Sequence, residues 1–402
     1  MMSFEKENFI SSILTNKDKN KKNLIDYRFK IVYCIAMLSV ISSHCSGKGS
    51  IELNIQGWFH YRSFHMPLFM FASGYFFKRK NLIKVFEYIE RKLKRLIVPI
   101  YIYNFFYGIY AQILAIWFKN NIRKFSFNNI FINPLGGRGF RNISPSWFSS
   151  SLFFVEFYNI IKRKTISNLN IEPHESIYFI FDFILAYYCV FVSNKGNNKG
   201  YPRIDILRFV HLNIYYQFGI LYRKNLEKSI KKIRNDIYFI IIFTVKLYYH
   251  LYYSKAPCFY YGLSEYYHYN PFTVIIISIL GILFWIRISE ILVPSIGNSF
   301  YVNIIADNTF SIMINHILAL EIVTDVYALL SKSTKYFKDF DFKKFYNFKG
   351  IYFYLPNNVL QSGIIYYLSC LIIPILIQKI INKFKYIFFT KNKFSNYYHN
   401  LI

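Results

Sequence analysis

Ile31-Val-Tyr-Cys-Ile-Ala-Met-Leu-Ser-Val-Ile-Ser-Ser-His44 is the stretch on which the fold turns. Taken from Leu24, it is a mainly apolar run of about 20 residues, the length a helix needs to cross bilayer hydrocarbon. Gly47, Gly49 and Asn54 break the pattern after it, as expected of an external loop. Runs of similar length recur along the 402 residues, each bounded by Lys, Arg, Asn or Gly. Helices satisfy their own backbone hydrogen bonds in lipid, so the expected fold class is all-α: a polytopic membrane helix bundle of about ten transmembrane helices.

Working outward, the chain returns from about Gln56 to Phe77 and closes on Lys78, Arg79 and Lys80. From Asn81 to Leu96, apolar residues at three- and four-residue spacing alternate with Lys84, Arg91, Lys92, Lys94 and Arg95, the pattern of an interfacial basic helix. Further spans are expected at about Ile97 to Phe118, Trp147 to Lys162, Ile177 to Val192, Ile204 to Tyr222, Ile237 to Tyr253, Pro271 to Ile286, Asn308 to Leu330 and Ser362 to Ile381. Asp182, Asp205, Arg208 and Lys246 interrupt the fifth, sixth and seventh of the ten. The organisation expected is a basic tail over 1–23, one membrane domain over 24–382 and a tail over 383–402, with both tails cytoplasmic. No internal repeat or separate soluble domain is visible.

Composition agrees: 54% of residues are hydrophobic and 17% charged, more apolar than one soluble core requires. The formal net charge of +28 would suit nucleic acid only if it were concentrated on a soluble face. Here the basic residues sit in short loops, about 28 Lys and Arg in those placed inside and about 17 outside, the direction of the positive-inside rule. Nucleic acid is therefore not expected as a partner, whereas membrane lipids are. Cys34, Cys45, Cys189, Cys258 and Cys370 are scattered singly, so neither a disulfide framework nor a metal site is expected.

An ionisable group inside a membrane needs a reason, because its charged form is costly there. His44 fits two readings. It is either a boundary histidine bonded to water or a general base, since imidazole takes and returns protons near neutral pH. Ser42, Ser43 and Cys45 beside it are small enough to leave room for a ligand. His60, Arg62 and His65 form a second cluster before a span in which Pro67 and Gly74 also have packing explanations. His316 sits within the ninth span beside Asn315, where it either lines a path or is satisfied by a neighbouring helix. Asp307 and Asn308 open that span as expected caps. Tyr248 to Tyr253 fits an interfacial aromatic belt. Arg91, Lys92 and Arg95 suit phosphates, or equally anionic lipid headgroups.

Five blocks carry a resemblance. The span ending in Ser43-His44, followed by Phe64-His-Met-Pro-Leu-Phe-Met-Phe-Ala-Ser-Gly-Tyr-Phe76, resembles acyltransferase family 3, membrane proteins that O-acylate surface polysaccharides and related glycans. Arg91-Lys-Leu-Lys-Arg-Leu-Ile-Val-Pro99 is similar to the family's basic cluster before a span. Ser146-Trp147-Phe148 and Asn308 to His316 are similar to its mid-chain and late segments. The resemblance implies His44 as the catalytic residue, Arg91, Lys92 and Arg95 as donor-binding residues, and Arg28 at the place of an arginine opening the first span. Arg28 precedes His44 by 16 residues, about 24 Å along a helix. The family's two arginines three apart meet Lys92 and Arg95 here, with Arg91 one step earlier.

The function so implied is an O-acyltransferase, acetyl being the first choice of acyl group. It would move the acyl group from acyl-CoA, with no tightly bound cofactor, to a hydroxyl of a surface polysaccharide or lipid-linked glycan in a bacterial cytoplasmic membrane. Ser43, Arg62, His65 and His316 are the candidates for oxyanion or acceptor contacts. Two alternatives compete. A transporter or flippase of a lipid-linked glycan would use the intramembrane charges as a path. A glycosyltransferase or polymerase would need paired external carboxylates, and Asp339 with Asp341, set among lysines, is the only close pair.

Overall fold

Each of the ten expected spans contains a helix in the computed structural model, which describes residues 25–45, 58–118, 125–195, 202–253, 270–347 and 352–390. The expected N-terminal tail, Gly47, Gly49, Asn54, Cys258 and residues 391–402 lie outside the described residues. Among the described residues there are helices, turns and loops, and no strand.

The spans are α1 (Tyr27–Cys45), α2 (His65–Tyr75), α4 (Val98–Phe118), α5 (Ser146–Asn168), α6 (Glu175–Asn194), α7 (Arg203–Leu221), α8 (Asn235–Tyr253), α9 (Pro271–Ile296), α11 (Thr309–Ser333) and α12 (Gly363–Thr390). Between them lie α3 (Val85–Lys92), which runs through a π turn at Leu93–Ile97 into α4, and the short α10 (Phe300–Asp307). Six segments are long and apolar enough to cross a membrane: Tyr27–Cys45, Val85–Trp117, Glu175–Asn194, Pro271–Ile296, Thr309–Ser333 and Gly363–Phe384. The molecule is thus an all-α membrane bundle.

Two expectations change. The second span is helical only from His65, because the His60 side chain accepts from the Arg62 N–H and starts a separate turn at Tyr61–Ser63. The 11 residues of α2 rise about 16 Å, too short to cross hydrocarbon alone, and ten of them are buried inside the bundle. Asn308 does not cap α11 with its side chain, which instead donates to the Ile304 carbonyl at 2.7 Å.

Helices α1, α2, α7, α9 and α11 form the interior, whereas α4, α6, α8 and α12 turn exposed apolar faces outward, as Ile102, Phe106, Ile180, Ile240 and Leu376 show. Tyr248 and Tyr252 are likewise exposed, consistent with a belt. The tightest seam joins α2 to α7. A Cβ on Gly74 would lie 1.9 Å from the Tyr216 carbonyl oxygen, and one on Gly219 would lie 2.1 Å from that of Phe71. Each glycine lets the other helix's backbone approach, which fixes α2 and the segment before it against the bundle.

Candidate active site

Two clusters lie at opposite ends of α1, one around His44 and one around Arg28. At the first, His44 is the penultimate residue of α1 and is exposed. His316, on α11, is fully buried, with its ring centroid 4.8 Å from that of His44. The His316 Nδ1 lies 3.1 Å from the Ile312 carbonyl. A carbonyl only accepts, so the proton is on Nδ1 and Nε2 carries a lone pair. That Nε2 is buried and has no hydrogen-bond partner among the described residues.

His65 opens α2 nearby and donates from Nδ1 to the Tyr61 carbonyl at 2.6 Å, which leaves its Nε2 as the acceptor. The charged or titratable groups that face His44 are His316, His65 and Arg62. Of the sequence candidates, His44, Arg62, His65 and His316 are thereby brought together. Ser43 stands beside His44 in the chain, and its hydroxyl donates to the Val40 carbonyl at 2.6 Å.

The segment carrying His316 is held from α4. Tyr107 Oη donates to Asn315 Oδ1 at 2.7 Å, and Asn315 Nδ2 donates to the Ser311 carbonyl at 2.9 Å. Cys370 on α12 adds a weak contact from Sγ to the His316 carbonyl at 3.4 Å. Among the described residues no group of His, Cys, Asp and Glu side chains is arranged to hold a metal ion.

A cavity of about 600 Å³ opens among α1, α2, α3, α5 and α11. Lys78, Lys80, Arg91, Lys92 and Arg95 line its basic part, and Tyr33, Phe69, Phe148 and Met313 its apolar part. Arg91 and Arg95 are exposed. Lys92 turns inward to Glu156, which is 1% exposed, at 2.7 Å. Ser73 Oγ donates to the same carboxylate oxygen at 2.6 Å. The lysine in the family's arginine register is therefore tied to a buried carboxylate, and the two arginines stand at the mouth. Arg95 lies within the π turn, a break in helical register of a kind frequent at functional sites.

The apolar end of this cavity approaches the histidines. Phe69 follows His65 by four residues, and Met313 precedes His316 by three, so about 6 Å and 4.5 Å of helix rise separate the cavity wall from the two imidazoles. Arg28 lies elsewhere. It binds Asp26 at 2.6 Å, Glu227 and Glu290 each at 2.8 Å, and the Tyr75 hydroxyl at 3.0 Å. It anchors the start of α1 to α9 and to the turn after α7, and it does not meet His44.

The remaining intramembrane charges are mostly paired. Asp182 is fully buried and takes Lys162 at 2.9 Å. Asp205 takes Arg138 and, at 3.1 Å, Arg208, whose guanidinium sits 5.0 Å over Trp147. Lys246 is the exception: it is buried and has no carboxylate within ion-pair distance among the described residues. Outside the spans, Asp339 accepts from the Tyr354 hydroxyl and from the Asn357 N–H, so it ties a loop together and is more than a solvated charge.

Residues 27–379 match the family model Acyl_transf_3, described as an acyltransferase domain. The chain belongs to that family. No curated protein and no solved structure matches it. This membrane acyltransferase therefore carries the histidine and basic-cavity blocks on one domain that nearly fills the chain. Sequence reasoning missed Glu156 and Tyr107. A lone Glu inside an apolar span was the available signal for the first; nothing in the sequence marked the second.

Proposed function

We propose that this acyltransferase moves an acyl group, acetyl in the simplest case, from acyl-CoA to a hydroxyl of a surface polysaccharide or lipid-linked glycan, with His44 as general base. The observation that carries the reading is the His44–His316 pair, 4.8 Å apart, set within a helical turn of the apolar end of a cationic cavity. Arg91 and Arg95 suit the phosphates of the donor, with Lys92 braced against Glu156 beside them. The thioester end of the donor then extends past Tyr33, Phe69 and Met313 toward the imidazoles.

His44 takes the proton of the acceptor hydroxyl as its oxygen attacks the thioester carbon. The tetrahedral oxyanion is met by the Arg62 guanidinium, because the Ser43 hydroxyl is given to Val40 and neutral His65 presents a lone pair at Nε2. The C–S bond breaks, and the imidazolium returns its proton to the departing thiolate, so the products are the ester and the free thiol of CoA. The lone pair of His316 Nε2 is an acceptor on the ring beside His44, and would orient that imidazole and spread the charge it gains. The glycan would be presented at a bacterial cytoplasmic membrane, with both chain ends inside.

The test is acetyl transfer by purified protein in nanodiscs, with His44→Ala beside wild type. Loss of transfer with thiol release also abolished supports the reading; transfer at the wild-type rate sinks it. Mass analysis of host glycan separates the transport alternative, in which the whole polymer disappears instead of becoming lighter by its acyl groups.

A further inference from the structure

Lys246 is 4% exposed, yet no carboxylate answers it among the described residues. Among the described residues, the face of α8 that carries it packs on one short segment. Phe243, Lys246 and His250 recur at three- and four-residue spacing, so they share one face of α8. That face lies over residues 58–60: Phe243 packs on Trp58 and Phe59 at 5.7 and 5.9 Å, the Lys246 ammonium is 5.1 Å from the Phe59 ring, and His250 stacks on Trp58 at 6.0 Å.

The next residues are donors. His60 Nδ1 accepts from the Arg62 N–H at 3.2 Å, which places the proton of neutral His60 on Nε2. Lys246 and Arg62 are the charged groups that face His60, and Arg62 also faces His44. An arc of donors, Lys246, His60 and Arg62, thus leads from the α8 face to the histidine pair, with the Trp58 ring beside it. A buried ammonium with no counter-ion is expensive, and an arriving anion removes that cost.

We propose that the acceptor is anionic: a sugar bearing a carboxylate or phosphate, whose charged group is held by Lys246 with His60 so that a neighbouring hydroxyl reaches His44 and leaves Arg62 to the oxyanion. This rests on the acyl-transfer reading and adds the substrate class to it. The donor's phosphates do not compete, because Arg91 and Arg95 line the separate cavity on the other side of Phe69 and Met313.

The experiment measures binding and transfer separately, on full-length protein in zwitterionic nanodiscs. The probes are a uronic-acid disaccharide, a disaccharide phosphate and the neutral disaccharide. Wild type is expected to bind at least one anionic probe about tenfold tighter than the neutral one, the gain of one charge-assisted contact. Lys246→Met should erase that difference, and Lys246→Arg should restore it, with the effect appearing in the acceptor KM rather than in kcat. Equal binding of all three probes by wild type, or an anion preference that survives Lys246→Met, overturns the proposal even if transfer is intact. Anion-selective binding with no transfer to any probe instead overturns acyl transfer and leaves the anion site. Loss of the sugar preference in phosphatidylglycerol nanodiscs would assign the site to a lipid headgroup and also overturn the proposal.

Discussion

Arg28 and His44 terminate the same helix, and their surroundings are opposite in kind. Arg28 is clasped by three carboxylates and a tyrosine hydroxyl, and the nearby Lys231 and Arg287 share Glu227 and Glu290 with it. His44 faces two imidazoles and a guanidinium. One end is satisfied by the protein itself, which suits an anchor. The other keeps, among the described residues, a buried lone pair on His316 and a Lys246 ammonium with no carboxylate beside it, and groups left in that condition are costly unless a ligand or a reaction uses them.

The sharpest attempt to break this contrast is His44→Ala, expected to lower transfer by about 10³-fold with the thermal midpoint held, as for loss of a general base. Activity and differential scanning fluorimetry on the same preparation check it. His316→Leu should lower kcat by about 10-fold to 100-fold and leave the KM for acyl-CoA in place, because it removes an orienting group rather than the base. An unchanged kcat would reduce the 4.8 Å ring contact to packing.

At the braced part of the cavity the expected loss is in stability. Glu156→Leu strands Lys92, which should cost about 3 kcal/mol, and Glu156→Leu with Lys92→Met should recover most of it. Denaturant titration in detergent measures both. Gly219→Ala, forced against the Phe71 carbonyl, should cost about 1–3 kcal/mol in the same assay by prising α2 from α7.

The smallest effect concerns pH at the anchored end. Burial raises the Glu227 pKa, but bonds from Lys231, Arg28 and Tyr75 outweigh it and hold the carboxyl below its ordinary range. A depressed folded pKa contributes stability above the unfolded value near 4.5, and that contribution is lost as pH falls through the folded one. Hydrogen exchange below pH 4.5 should therefore rise at the start of α1 before it rises around His316. The reverse order would show that the two ends are not differently secured.

Much of this was legible in advance. Apolar run length gave a helix in every expected span, and Pro67 and Gly74 gave a close-packed α2, although its 11-residue length was hidden because nothing local announced the turn made by His60 and Arg62. The charges that interrupt the spans read alike along the chain. In space, Asp182 is paired across helices with Lys162, Asp205 is paired with Arg138 of a loop and with Arg208 of its own helix, and Lys246 has no carboxylate partner among the described residues. Lys92 looked interchangeable with Arg91 and Arg95 until Glu156, 64 positions away, claimed it.

Run lengths, loop charge and the motif blocks were enough to determine a membrane helix bundle and its family, since bilayer thickness and helix rise act on each segment independently. Only the tertiary structure decided which end of α1 is an anchor and which is a site. Two of the three counter-ions of Arg28, Glu227 and Glu290, come from 199 and 262 residues away, and pairing over such separations has no local sequence signal.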